Sequence, residues 1–205
     1  MTTLSMPSTP GFVRSRFGLV ANTQQFVSPL NRSAQTLELT GSRWRGDYTL
    51  PPMKRTQAAA WHAFLVQLRG ASGRFYAGDP DGKTARGTAT GTPLVDGASQ
   101  TGISLITDGW TINITGILKA GDYIAYNVGS ARQLHILTAD ANSNGSGQST
   151  LAIEPPIRTS PANNEPIIVS SPTCIMRLID DDQSAWDANH LSVYGISFAA
   201  VESVF

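Results

Sequence analysis

Apolar residues in this chain recur mostly in short alternating runs, and only one of its segments repeats at the helical period. Between Pro52 and Gly70, the side chains of Trp61, Phe64, Leu65 and Leu68 fall at i, i+3, i+4 and i+7, which places them in one stripe. Ala58, Ala59 and Ala60 raise the helix propensity, Arg69 stands at the negative end of the dipole, and Gly70 suits a left-handed cap. A single amphipathic helix in a chain of strands predicts a lid packed on a sheet, and so a mainly β fold.

The strands divide into two styles. Residues 1–11, broken by Pro7 and Pro10, predict an irregular leader. Residues 12–20 and 24–28 are rich in aromatic and β-branched side chains. Residues 36–40 alternate as a half-buried strand does, and Trp44 and Tyr48 continue the style. Residues 74–77 predict a strand, and 78–82 a tight turn. From 84 to 100 the chain is mostly Gly, Thr, Ala and Ser with few large residues, which predicts a connection leading away from the first sheet.

The middle then reads as a small barrel. Residues 101–126 predict three short strands, with Ile103 and Leu105 alternating, then Ile112 and Ile114. Further strands are expected at 132–138 and 150–154, a polar loop at 139–149, and a second loop at 159–166 where Pro161 and Pro166 stop any strand. Such spacing fits a closed or partly open barrel. Residues 172–178 and 191–198 return to the first style, and the last run is apolar on both faces, as a covered strand is. Matching ends around a different middle imply one domain inserted into another.

Charge is balanced overall, with 15 Lys/Arg against 15 Asp/Glu, so a basic footprint for tight nucleic-acid binding is absent from the composition. Residues 1–90 nevertheless carry 11 against 4, and residues 91–205 carry 4 against 11. Chance distribution over solvated faces explains this, and so does complementarity between neighbouring copies in an assembly. Cys174 is the only cysteine, which excludes an intrachain disulfide and suggests a buried, inert thiol. With no secretory h-region and no run of about 18 apolar residues, the expectation is a soluble protein made in a cytoplasm.

Motifs for chemistry are weak. Gly82-Lys83-Thr84 ends like a phosphate-binding loop, but Ala77 stands where the pattern needs glycine. Asp79 with Asp81, and Asp180 to Asp182, lack the ligand spacing of a calcium loop and read as solvated turns. His62, His135 and His190 fall in a helix, a strand and a loop, without metal-ligand spacing or a Gly-x-Ser-x-Gly elbow. No catalytic residue, metal or cofactor is expected. Asn31, Asn113 and Asn144 begin glycosylation triplets that carry no weight without a secretory signal. Trp110, Tyr123 and Tyr126 are the candidate ligand-facing aromatics of the barrel, for stacking on sugars or bases, with core packing as the competing role.

One resemblance unites these features. Leu68-Arg69-Gly70 ending the helix, Gly73-Arg74-Phe75 with the turn Gly78-Asp79-Pro80, Lys119-Ala120-Gly121-Asp122 inside the insert, and the ending Tyr194-Gly195-Ile196-Ser197-Phe198 resemble the distal tail proteins of long-tailed, non-contractile bacteriophages. The resemblance implies a tail-tube-like β-sandwich with one helix, formed by residues 1–86 and 171–205, carrying an inserted OB-like β-barrel at 87–170. It further implies a structural virion protein at the tail tip. Six copies would form a homohexameric ring joining the tail tube protein to the tail hub and to fibre or receptor-binding proteins, with DNA passing through the lumen without specific nucleic-acid binding. The alternative is a carbohydrate-binding adaptor contacting the host surface through the barrel.

Overall fold

The computed structural model describes residues 3–204. In chain order, β1 (Thr3–Ser5), β2 (Arg14–Val20), β3 (Thr23–Val27), β4 (Ala34–Glu38), β5 (Arg43–Thr49) and β6 (Met53–Lys54) precede the helix α1 (Arg55–Gln67). β7 (Arg74–Ala77) follows it. The middle of the chain supplies β8 (Gly91–Val95), β9 (Gly102–Trp110), β10 (Tyr123–Val128), β11 (Ala131–Leu137) and β12 (Ser149–Ile157). The last stretch supplies β13 (Cys174–Leu178), β14 (Asp187–Ala188), β15 (Val193–Gly195) and β16 (Ser197–Glu202). The protein is therefore mainly β with one α-helix.

Six strands form one sheet in the order β1-β7-β13-β16-β5-β2, drawn from the chain before residue 77 and after residue 174. Five strands from the middle form a second, curled sheet in the order β10-β11-β12-β9-β8. The small sheet β14-β15-β6 flanks α1, and β3 pairs only with β4. Where the chain leaves the first sheet and where it returns lie side by side: Ser171 N–H donates to the Lys83 carbonyl at 2.7 Å. Gly78 permits this closeness, since a Cβ there would stand 2.5 Å from the Pro172 carbonyl oxygen.

The helical stripe does what its period implies. Trp61, Phe64, Leu65 and Leu68 are all buried, and they meet Phe75, Met176, Leu178 and Phe198 on one face of the six-stranded sheet. Phe12 completes the layer, with its ring 5.4 Å from Trp61 and 4.8 Å from Tyr48. A second core of Leu105, Trp110, Ile117, Leu118, Ile124 and Leu151 fills the curled sheet. The two cores share a wall. Along β10, Ile124 and Tyr126 point into the curled sheet, whereas Tyr123 and Ala125 point at the first core; on β11, Leu134 and Ile136 do the same.

Several expected boundaries move. The leader contains β1, which pairs parallel to β7 from Thr3↔Arg74 to Ser5↔Tyr76, because Leu4 completes the hydrophobic layer above Phe75. The connection 84–100 contains β8, whose Val95 is buried beside β9. Residues 101–126 hold two strands and not three. Ile112 is exposed in a turn, and the chain from 111 to 122 is irregular. β12 runs on through Pro155 and Pro156, at the place where its ladder with β9 breaks between Ala152 and Ile157, so no paired N–H is lost. At the helix end it is Arg69, at φ 51°, that first turns left-handed, with Gly70 following at 67°.

Lys119 to Asp122 explains itself in atomic terms. The buried Asp122 carboxylate accepts from the backbone N–H groups of Arg86 (2.8 Å), Gly87 (3.1 Å) and Lys119 (2.8 Å), which ties the start of the middle segment to the turn before β10.

The helix stripe holds the first core together. Trp61→Ala should cost about 3–5 kcal/mol, and Val66→Ala, on the exposed face of α1, under about 0.5 kcal/mol. Urea unfolding of both variants checks this.

Candidate functional site

The three barrel aromatics do not form a platform. Trp110 is buried and donates from Nε1 to Thr107 Oγ1 at 2.8 Å. Tyr126 is fully buried, with its ring 5.1 Å from that of His135, and burial raises its phenol pKa despite the nearby Arg158. Tyr123 is half-buried and faces the first core, 5.7 Å from Trp44 and 6.1 Å from Phe17. Its phenol is pushed up to about 12 by burial and by Asp79. Core packing has claimed all three.

What the sequence did not reveal is a polar junction between the two cores. Glu202, at the end of β16, is almost wholly buried; its Oε2 accepts from Trp44 N–H (3.1 Å) and from Arg158 Nη1 (3.2 Å), and its Oε1 binds Arg158 Nη2. Arg158 Nη1 also donates to the Ser42 carbonyl at 3.2 Å. Burial raises the Glu202 pKa, against the pull of the guanidinium and the Trp44 N–H. Close by, Trp44 Nε1 donates to the Leu134 carbonyl (2.8 Å), and Gln133 both accepts from Arg158 N–H (3.0 Å) and donates to the Thr159 carbonyl (2.6 Å). These partners are 25 to 158 residues apart in the chain, so no local pattern announces them.

His135 sits next to this junction and is fully buried. The Pro155 carbonyl, 2.7 Å from Nδ1, can only accept, so Nδ1 carries the proton and Nε2 accepts from the Tyr126 hydroxyl at 3.0 Å. Burial pushes the ring pKa down to about 4, with Arg158 acting in the same direction and the Pro155 bond opposing. His135 is thus a neutral core histidine with both nitrogens occupied. His62 stacks on Trp186 at 4.1 Å, and His190 is exposed in a turn.

Other candidates stay apart. Cys174 is buried and its thiol pKa is raised by burial. Asp79 and Asp81 shape the turn after β7, and Asp181 accepts from the Ala71 N–H at 2.9 Å. Among the described residues, no three of His, Cys, Asp or Glu stand close enough to hold a metal, and no helix is long and apolar enough to cross a membrane. A cleft of about 410 Å³ lies beside the crossing strands, lined by Met6, Phe12, Trp61, Tyr76, Asp79 and Lys83 among others.

The exceptional surface is the β3–β4 hairpin. Its base is fixed where Asn22 Nδ2 donates to the Thr40 carbonyl (2.7 Å), and its tip where Ser28 N–H donates to the Ser33 carbonyl (2.9 Å). Between them every strand residue is exposed. Gln24 pairs with Leu37 and Phe26 with Gln35, which puts Phe26 (63% exposed) and Leu37 (58%) on one face, and Leu30 at the tip is 96% exposed. An isolated two-stranded hairpin is marginal in water, so this arm stands without the packing that normally holds one. Its sequence alternates as a half-buried strand does, and nothing in it says that the burying surface is missing.

No protein-family model matches this chain, and no curated protein is similar to it in sequence.

The His135 geometry fixes a pH response. Between about pH 6.5 and 4 the unfolded chain takes up a proton at this position and the folded chain does not, so stability falls as pH falls. The contribution is about 3 kcal/mol over the window. Urea unfolding at pH 7 and pH 4.5 should show a smaller acid loss for His135→Gln than for the unchanged protein.

Proposed function

We propose that this chain is a structural ring subunit of a bacteriophage tail tip, joining a tail tube protein to hub and fibre or receptor-binding proteins as a homohexamer. The observation that carries the reading is the arm. Phe26 and Leu37 face solvent on a ribbon that has no core of its own, and a second copy supplies the surface that buries them. Burying each is worth about 1.5–3 kcal/mol, so the six equivalent contacts of a ring would add up. The resemblance of residues 68–80, 119–122 and 194–202 to distal tail proteins supplies the identity of the ring.

One further feature supports an assembly part: the titratable groups with the strongest shifts, Tyr48, Tyr126, His135 and Cys174, serve packing. The carbohydrate-adaptor alternative loses its candidate platform, because Trp110 and Tyr126 are interior.

A ring of identical subunits closes through head-to-tail contacts. In native mass spectrometry and negative-stain microscopy, the purified protein at high concentration should give six-fold rings with a central hole. Phe26→Asp with Leu37→Asp should leave the thermal midpoint within about 2 °C, since these side chains support no body packing, and should weaken assembly at least about 100-fold. Rings that persist in this variant, or a protein that stays monomeric at every concentration, would overturn the reading.

A further inference from the structure

The outer face of the six-stranded sheet, opposite α1, carries an ordered set of arginines. On β2, Phe17 and Leu19 point into the core, so Arg14, Arg16, Gly18 and Val20 point out; on β5, Trp44 and Tyr48 point in, so Arg43, Arg45 and Asp47 point out. Pairing sets Arg16 opposite Asp47, Gly18 opposite Arg45 and Val20 opposite Arg43. Arg14, Arg16, Arg45 and Arg43 therefore form a diagonal line about 20 Å long, from the strand repeat of about 3.4 Å per residue. Arg177 on β13 lies in the same row as Arg45, across Val201.

Opposing charge on this face is sparse. Of the acidic residues in the six strands, Asp47 and Glu202, only Asp47 points outward, and its 3.3 Å contact with Arg45 is solvent-exposed and weak. Arg14, Arg16 and Arg43 are exposed, and among the described residues no carboxylate lies within ion-pair distance of them. Gly18 leaves a gap in the line. A hollow of about 300 Å³ opens there, lined by Arg16, Gly18, Val20, Arg45 and Asp47, large enough for one phosphate group between two guanidiniums. No aromatic ring faces out on either strand, since Phe17, Trp44 and Tyr48 all point inward.

We propose that this face binds the sugar-phosphate backbone of double-stranded DNA without reading sequence. Guanidiniums at alternate positions on a strand recur about every 7 Å, and arginine pairs with phosphate through two parallel N–H donors. The β2–β5 part of the face, which turns no aromatic ring outward, engages the backbone and leaves base edges untouched. A polyanion of regular charge matches a line better than a folded protein patch does. The choice of DNA among polyanions rests on the ring reading; the arginine line itself does not. The balance of charge over the whole chain conceals this patch, because the four arginines of β2 and β5 are separated in sequence by the arm.

Fluorescence anisotropy of a labelled 20-base-pair duplex of arbitrary sequence, titrated with the full chain from 20 to 200 mM salt, tests the proposal. Four phosphate contacts give a log–log salt slope of about −3.6. Each single arginine-to-alanine change should bring that slope about 0.9 closer to zero. The variant with Arg14, Arg16, Arg43 and Arg45 all changed to Ala should bind at least about 10-fold more weakly at 20 mM salt, whereas Lys54→Ala with Arg55→Ala, on the helix side, should bind unchanged. Circular dichroism checks that the variants fold. Absence of binding by the unchanged chain at 20 mM salt, or equal binding by the four-arginine variant, would overturn the proposal. Loss of rings with DNA affinity intact would also overturn it, and would make this face a contact between copies. Ring formation is read separately by microscopy, so either idea can fail alone.

Discussion

The buried Glu202 carboxylate is the point on which the two sheets depend. It ends the central strand β16, caps the Trp44 N–H on β5, and receives the guanidinium of Arg158 from the end of β12. A charge at 2% exposure is tolerable only when its lone pairs are taken, and here backbone and guanidinium donors from both sheets take them. Breaking the pair from one side leaves the other charge buried, which is much more costly than the pair is stabilising. The junction therefore fixes how the sheets sit on one another more than it adds net stability. Trp44, Ala125 and Leu134 do the adding, as apolar contacts that pack β10 and β11 of the curled sheet into the first core.

The split of charge along the chain changes meaning once folded. The acidic residues Asp180, Asp181, Asp182 and Asp187 return to the body that holds most of the arginines. Residues 1–86 with 171–205 thus carry 12 Lys/Arg against 9 Asp/Glu, and residues 87–170 carry 3 against 6. What looked like two halves of opposite sign becomes a mild difference between bodies, with a concentrated arginine line on one face of one of them. Complementarity between copies, if charge supplies it, is local to such patches and not a property of chain halves.

Legibility in the sequence followed physical period. Trp61 to Leu68 announced α1 because a buried stripe at 3.6 residues has few rival explanations, and the strand at 74–77 was bracketed by Gly73 and Gly78. β1 went unseen because its strand character comes from a partner far off in the chain, Phe75 for Leu4, and β8 because Gly91, Thr92 and Pro93 have the composition of a connection. Ile112 and Ile114 mimicked a strand by alternation alone, yet the turn geometry around Gly116 and Asn113, both at positive φ, bends the chain away. For the same reason Trp110, Tyr123 and Tyr126 were ambiguous between stacking and core. Only the second sheet face, packed on Trp44 and Phe17, decides that β10 is buried on both sides.

The arm and the arginine line belong to one ribbon, and that is the deeper reason neither was legible. From residue 14 to residue 49 the chain runs out and back as paired strands, with a break at Asn22 and Thr40. Below the break, alternate side chains such as Phe17, Leu19, Trp44 and Tyr48 anchor the ribbon to α1 and the curled sheet, which leaves the outward set free to be charged. Above the break, the alternation continues with Phe26 and Leu37 but the body has ended, so the same pattern that buries one face below leaves an apolar face in water above. Folding alone gives no reason to keep such side chains, since replacing them with polar ones would remove an aggregation hazard at no loss of packing. On the proposed ring reading, a surface outside the chain explains their presence, and the ribbon's root in the core sets where they stand.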